Sequence, residues 1–199
     1  MKRYAPYVSA VLMIMTLSGC GAAERTIAAR SASERSDVFT EVAGNEATPS
    51  GYGDVLITAN IKTHLEGYHR GESKASAHGK EVYPFLINID GQAVLWKVAG
   101  KKHELPLQVD GITSRDPEAG NGMKYVLKKK VRLAAGAHKV FFGLPEEPYF
   151  TVADITVTSG ETYVLEFKPK YWHKELPTHI PTFFKGINKY DVVLKGSLI

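Results

Sequence analysis

Cysteine is nearly absent: Cys20 is the only one in 199 residues. A single thiol cannot close a disulfide within the chain, so stability has to come from a packed core, and 44% apolar residues supply one at this length. Long apolar runs are also scarce. The clearest one, Val8 to Leu17, is roughly ten residues long, too short for a helix to span a bilayer. A large excess of one charge is lacking too, since the formal net charge is only +4. The chain has no G-x-S-x-G elbow, no H-E-x-x-H, no P-loop and no G-x-G-x-x-G placed between a strand and a helix. Without C-x-x-C-H there is no covalent c-type haem. These absences point away from an enzyme.

What is present begins with Met1-Lys2-Arg3, the apolar run, and then Leu17-Ser18-Gly19-Cys20. Positive charge, a short hydrophobic stretch and small residues are the parts of a secretory signal peptide, expected to be cleaved after residue 19. The last four residues resemble the lipobox of bacterial lipoproteins, in which the cysteine becomes the acylated first residue. This resemblance implies lipidation of Cys20, whose thiolate is the nucleophile that takes the diacylglyceryl group. Thiol catalysis is then excluded. Gly21 stands where Asp commonly signals inner-membrane retention, so the resemblance implies an outer-membrane anchor. Several acyl chains, at about 0.8 kcal/mol per buried CH₂, hold far more firmly than one. Loss of residues 1–19 leaves 23 basic against 21 acidic side chains, near +2, and the case for a nucleic-acid partner goes with it.

From residue 20 to residue 52 the chain is rich in Ala, Ser, Arg, Glu and Gly. The composition predicts a flexible tether with a span on the order of 30 Å. The competing reading is a helix over 22–38, for which no sustained apolar stripe offers a docking face.

After Tyr52 the period becomes two. Val55, Ile57, Ala59 and Ile61 alternate with Asp54, Leu56, Thr58 and Asn60, as in a strand with one buried face. In "VYPFLINIDGQAVLWKV", Asp90-Gly91 is a favoured two-residue turn, and its register sets Ile89 against Gln92, Ile87 against Val94, Phe85 against Trp96 and Tyr83 against Val98. A loop near Gly100 leads to "HELPLQV", an edge strand by virtue of Pro106, followed by a turn at Asp110-Gly111. Tyr125, Leu127, Val131 and Leu133 share a face. Val152–Thr158 and Thr162–Lys168 read as a hairpin around Ser159-Gly160-Glu161, and "KYDVVLKG" is a final strand. The pattern predicts an all-β fold over residues 53–199: a single antiparallel β-sandwich of about eight or nine strands. The segment "VRLAAGAHKVFFGLPEEPYFTVADITVTSGETYVLEFKP" also resembles PEGA-type and transthyretin-like modules of bacterial surface proteins. That resemblance implies a binding or scaffolding module and carries no catalytic residue.

Four sets of residues are candidates for function. His64, His69 and His78 lie in "KTHLEGYHRGESKASAHGK", and their imidazoles suit a divalent transition metal, although the spacing fits no standard site. "SRDPEAGNG" offers Asp116, Glu118 and Asn121 to a calcium ion, but Leu127 stands where an EF-hand needs its twelfth-position carboxylate. Lys124, Lys128, Lys130 and Arg132 alternate along one strand face, either as a solvated surface or as a stripe for an anionic glycan, lipid or acidic envelope protein. Tyr171, Trp172, His173, His179, Phe183 and Phe184 fill a long proline-rich connection that either covers the core or presents aromatic faces to a carbohydrate or protein. The expectation is a non-enzymatic, lipid-anchored envelope binding or scaffolding module. The alternative is a small metal- or carbohydrate-binding lipoprotein.

Overall fold

The computed structural model describes residues 20–44, 46–172 and 180–199; the signal peptide expected over 1–19 lies outside them, as do His173 and His179. In chain order the elements are helix α1 (Cys20–Ser31), then strands β1 (Phe39–Glu41), β2 (Tyr52–Thr63), β3 (Val82–Ile89), β4 (Gln92–Leu105), β5 (Gln108–Val109), β6 (Ile112–Thr113), β7 (Gly120–Ala134), β8 (Gly136–Leu144), β9 (Tyr149–Val157) and β10 (Thr162–Tyr171). A 3₁₀ turn (Thr182–Lys185) precedes β11 (Ile187–Leu194) and β12 (Ser197–Leu198). Among the described residues no helix is long and apolar enough to cross a membrane.

The fold is mostly β: a large, curled, mixed sheet in the order β12-β11-β10-β2-β7-β4-β3-β8-β9, with β1 also on β7 and β5-β6 forming a separate small hairpin. The Asp90-Gly91 turn, with φ of 47° and 93°, sets the β3-β4 register expected from it, from Ile89↔Gln92 to Tyr83↔Val98. Tyr83, Phe85, Ile87 and Ile89 are fully buried, and Tyr125, Leu127, Val131 and Leu133 line the buried face of β7.

No loop interrupts the chain at Gly100. β4 runs straight through it, pairing with β3 as far as Ala99 and with β7 from Gly100 on. A Cβ at Gly100 would come within 2.5 Å of Tyr125 Cε1, so only glycine lets the strand change partners over that ring. The Asp110-Gly111 turn forms, but Pro106 ends β4 just before it; Val109 and Ile112 are solvent-exposed rather than core.

Two expectations are corrected. The sheet is not wholly antiparallel, because β10 runs parallel to β2, pairing Val55 with Tyr163 and Ala59 with Phe167. The β9-β10 hairpin is therefore absent: β9 pairs with β8, and residues 158–161 carry the chain across the curl. There the Asp54 amide donates to the Glu161 carbonyl and the Gly160 amide to that of Tyr52. Turn-forming residues suit a crossover as well as a hairpin, and the open edge of β2 takes β10.

The other correction concerns residues 20–52. Ala22, Ala23, Ala28 and Ala29 favour helix, and a single side chain, Ile27, docks α1 on Leu86 and Phe141. Asn88 Nδ2 donates to the Arg30 carbonyl, and Ser33 exchanges hydrogen bonds with the Ala93 backbone. β1 then occupies the flank of β7 that β4 leaves when it turns away at Gly100. Phe39 is buried, its amide donates to Gln92 Oε1, and Trp96 Nε1 donates to Glu41 at 2.6 Å. The segment is thus docked, because an exposed strand edge needed covering. Ile27→Ala is expected to weaken helix docking by about 2 kcal/mol. Hydrogen exchange should rise across residues 20–31 while β2 and β7 stay protected.

The core lies inside the curl. Phe142 of β8 stacks on Phe167 of β10 at 4.3 Å and meets Tyr190 of β11 edge-on at 4.9 Å. The Tyr190 amide donates to Tyr149 Oη at 2.6 Å, joining β11 to β9 across the interior.

Candidate metal centre

β2 ends at Thr63, and the next residue, His64, is only 5% exposed. Its Nδ1 lies 2.9 Å from the Leu65 carbonyl, an acceptor only, so Nδ1 carries a proton and Nε2 is the nitrogen left for another partner. Glu72 Oε1 stands 3.5 Å from that Nε2 and 2.9 Å from His78 Nδ1. Ser76 Oγ donates to the same carboxylate oxygen. The far nitrogen of His78, Nε2, is 2.8 Å from Glu147 Oε1, close but off the hydrogen-bond line, leaving this buried nitrogen without an aligned partner.

The loop from 64 to 81 is held in place at both ends. The Gly79 amide donates to Thr63 Oγ1, Tyr125 Oη donates to the Lys80 carbonyl, and the Ala77 amide reaches Glu146 in the β8-β9 turn at 3.4 Å. Gly79 has φ of 71° and sits where a Cβ would collide with the Glu66 backbone, so the two arms of the loop close only over glycine.

One atom each from His64, Glu72 and His78 lies within 4.8 Å of the others, the only such group among the described residues. Two imidazoles and a carboxylate suit a borderline divalent ion such as Zn²⁺. Burial pulls the His78 pKa down, but the Glu147 and Glu72 carboxylates outweigh it and hold this imidazole above the usual range.

The three histidines proposed from sequence are therefore brought together, with different parts. His64 and His78 point donors at one place. His69 packs edge-on against His64, ring centres 4.7 Å apart, outside the donor group. Glu72 lies in the same stretch but belongs to no motif, and Glu147 lies far along the chain in the β8-β9 turn. No spacing rule links residue 147 to residue 78.

The other candidates are used by their own chain. Glu118 pairs with Lys124 at 2.5 Å, and Asp116 Oδ1 accepts from the Glu118 amide, so the calcium reading becomes a turn. Lys130 donates to the Gly44 carbonyl and Arg132 makes two bonds to Asp54, leaving Lys128 as the exposed member of the stripe. Tyr171 and Phe183 are buried, Phe184 is half-buried, and Trp172 is 52% exposed. Tyr171 Oη accepts from the Lys62 amide. The Lys62 ammonium is itself buried, donating to the carbonyls of Glu118 and Gly120 and lying 4.6 Å over Phe183. Burial pushes the Lys62 pKa down. This end of the connection covers the core.

The Asp54–Arg132 pair gives a pH dependence. The Arg132 hydrogen bonds hold the Asp54 carboxyl below the usual carboxylate range against the opposing effect of burial. Its folded pKa lies below its unfolded one, so the pair stabilises above the unfolded value and that stability is lost as pH falls through the folded value. Asp54→Asn is expected to lower the melting temperature at neutral pH and to flatten its acid decline below about pH 5. An unchanged acid limb would remove Asp54 from the account.

Comparison with known proteins finds no family model, no curated protein and no solved structure that matches this chain.

Proposed function

We propose that this protein binds one divalent transition-metal ion, with His64 Nε2, Glu72 Oε1 and His78 Nδ1 as ligands, on a non-enzymatic envelope domain. The observation that carries the reading is the convergence of those three donors, with the opposite nitrogen of each imidazole set against an acceptor. The Leu65 carbonyl fixes His64 and the Glu147 carboxylate faces His78, the carboxylate-to-histidine arrangement that orients metal ligands elsewhere. The curled sheet serves as a two-layered, sandwich-like scaffold that brings the 64–81 loop and the β8-β9 turn to the same end.

Calorimetry of the metal-free protein with Zn²⁺ and Cu²⁺ tests it. The expected result is one site of micromolar affinity or tighter; no heat of binding for either ion overturns the proposal.

The address is a separate part of the proposal. Lipidation of Cys20 anchors the chain at the outer membrane, and the support is the sequence of residues 1–20 alone. Intact mass of protein from its native host should show acylation at Cys20. A free thiol on an uncleaved chain overturns this part and leaves the metal site standing. A scaffolding role toward an anionic envelope partner has less support, because Lys124, Lys130 and Arg132 are engaged within the fold.

A further inference from the structure

A three-donor site leaves a four-coordinate ion one position short. Four of the side chains around His64, Glu72 and His78 already have partners of their own. Glu147 faces the far nitrogen of His78, and Glu146 accepts from the Ala77 amide. Ser76 Oγ donates to Glu72, and Thr63 Oγ1 to the His64 carbonyl. His69 packs edge-on against both His64 and Tyr68, at ring separations of 4.7 and 5.0 Å, and lies outside the donor group.

What faces the three donors is open space. A cavity of about 270 Å³ has the donors on one wall and the Phe183–Gly186 turn on the other. Space of that size holds several water molecules, or one small molecule. Gly186 is what lets this wall come so near. It has φ of 78°, and a Cβ there would lie 2.9 Å from Glu147 Oε2.

The charge of the cavity selects what enters. A divalent ion balances Glu72 and Glu147, and the remaining charge is Lys185, which lines the same cavity and pairs with no carboxylate among the described residues. Phe183 and Phe184 supply apolar walls, which strengthen attraction between an anion and the ion beside it.

Resting on the metal reading above, we infer that the bound ion keeps its fourth position open and takes a small oxygen-donor anion there, a carboxylate or phosphate, with Lys185 as the second contact. The anion donates an oxygen lone pair to the metal and displaces water, and no covalent bond within it is broken.

Visible absorption of the Co²⁺-loaded protein tests this, because the spectrum reports the fourth ligand. Acetate or inorganic phosphate should shift the bands with saturation in the millimolar range, and Lys185→Ala should weaken that response by about fivefold while leaving Co²⁺ affinity unchanged. Response to acetate alone or to phosphate alone separates carboxylate from phosphate as the natural class. Three results overturn the inference and leave the metal reading intact: Co²⁺ binds but neither anion shifts the spectrum at tens of millimolar, the shift appears only in His69→Ala, or Lys185→Ala responds as strongly as the wild type. Failure of Co²⁺ to bind at all removes both readings.

Discussion

His78→Ala is expected to lower Zn²⁺ affinity by more than about 100-fold, beyond the 10–100-fold that loss of a supporting contact typically costs. Glu147→Gln should fall inside that smaller range, because it leaves all three donors in place and changes only what faces His78 Nε2. The two variants together separate a ligand from the residue that orients it. A thermal readout follows from mass action. At a Zn²⁺ concentration 100 times Kd, binding adds about 2.7 kcal/mol, which for a domain of this size is a rise of roughly 5–10 °C in melting temperature. His78→Ala should show no such rise at the same Zn²⁺ concentration. Equal affinity for His78→Ala and the wild type would put the ion somewhere other than between residues 64, 72 and 78.

Phe142→Ala is the largest stability change expected. The ring is fully buried and touches Phe167, Tyr190 and Phe85, which belong to three different strands on both sides of the curl. Removing it costs the transfer of a large apolar surface and leaves a void that β8, β10 and β11 cannot close without breaking their ladders. The cost is about 3–5 kcal/mol. Typical domains have only about 5–15 kcal/mol in total, so a drop of roughly 10 °C or more in melting temperature is expected. Val152→Ala, on the outward face of β9 and 44% exposed, is the control, with a change within about 0.5 kcal/mol. Denaturant unfolding of both variants checks this; a Phe142→Ala loss under about 1 kcal/mol would mean the sheet is not closed around that ring.

The strands were legible where the information is local. Asp90-Gly91 requires a tight turn, a two-residue turn sets its register, and the register put Phe85 opposite Trp96 as found. The faces of β2 and β7 followed from alternation alone. Residues 20–52 failed for a reason of context. Judged by itself, the segment has too little apolar surface to fold, yet Ile27 and Phe39 suffice once Leu86, Phe141 and the open flank of β7 are there to receive them. Ser159-Gly160-Glu161 failed in a related way, since its turn chemistry is the same whether the next strand returns beside β9 or crosses to β2. In the metal centre, histidine marked the right loop by residue type, but a carboxylate becomes a ligand or a support only through its position.

The sequence by itself determined that this chain is β-rich, which faces its strands bury, and that imidazoles cluster in one connection, because alternation, turn chemistry and residue type are carried by neighbours in the chain. Only the tertiary structure decided that β10 runs parallel to β2, that the N-terminal segment is docked, and that Glu147 meets His78. Those outcomes depend on which unpaired edges and unbalanced charges find each other after the sheet has curled, and no stretch of chain contains both partners.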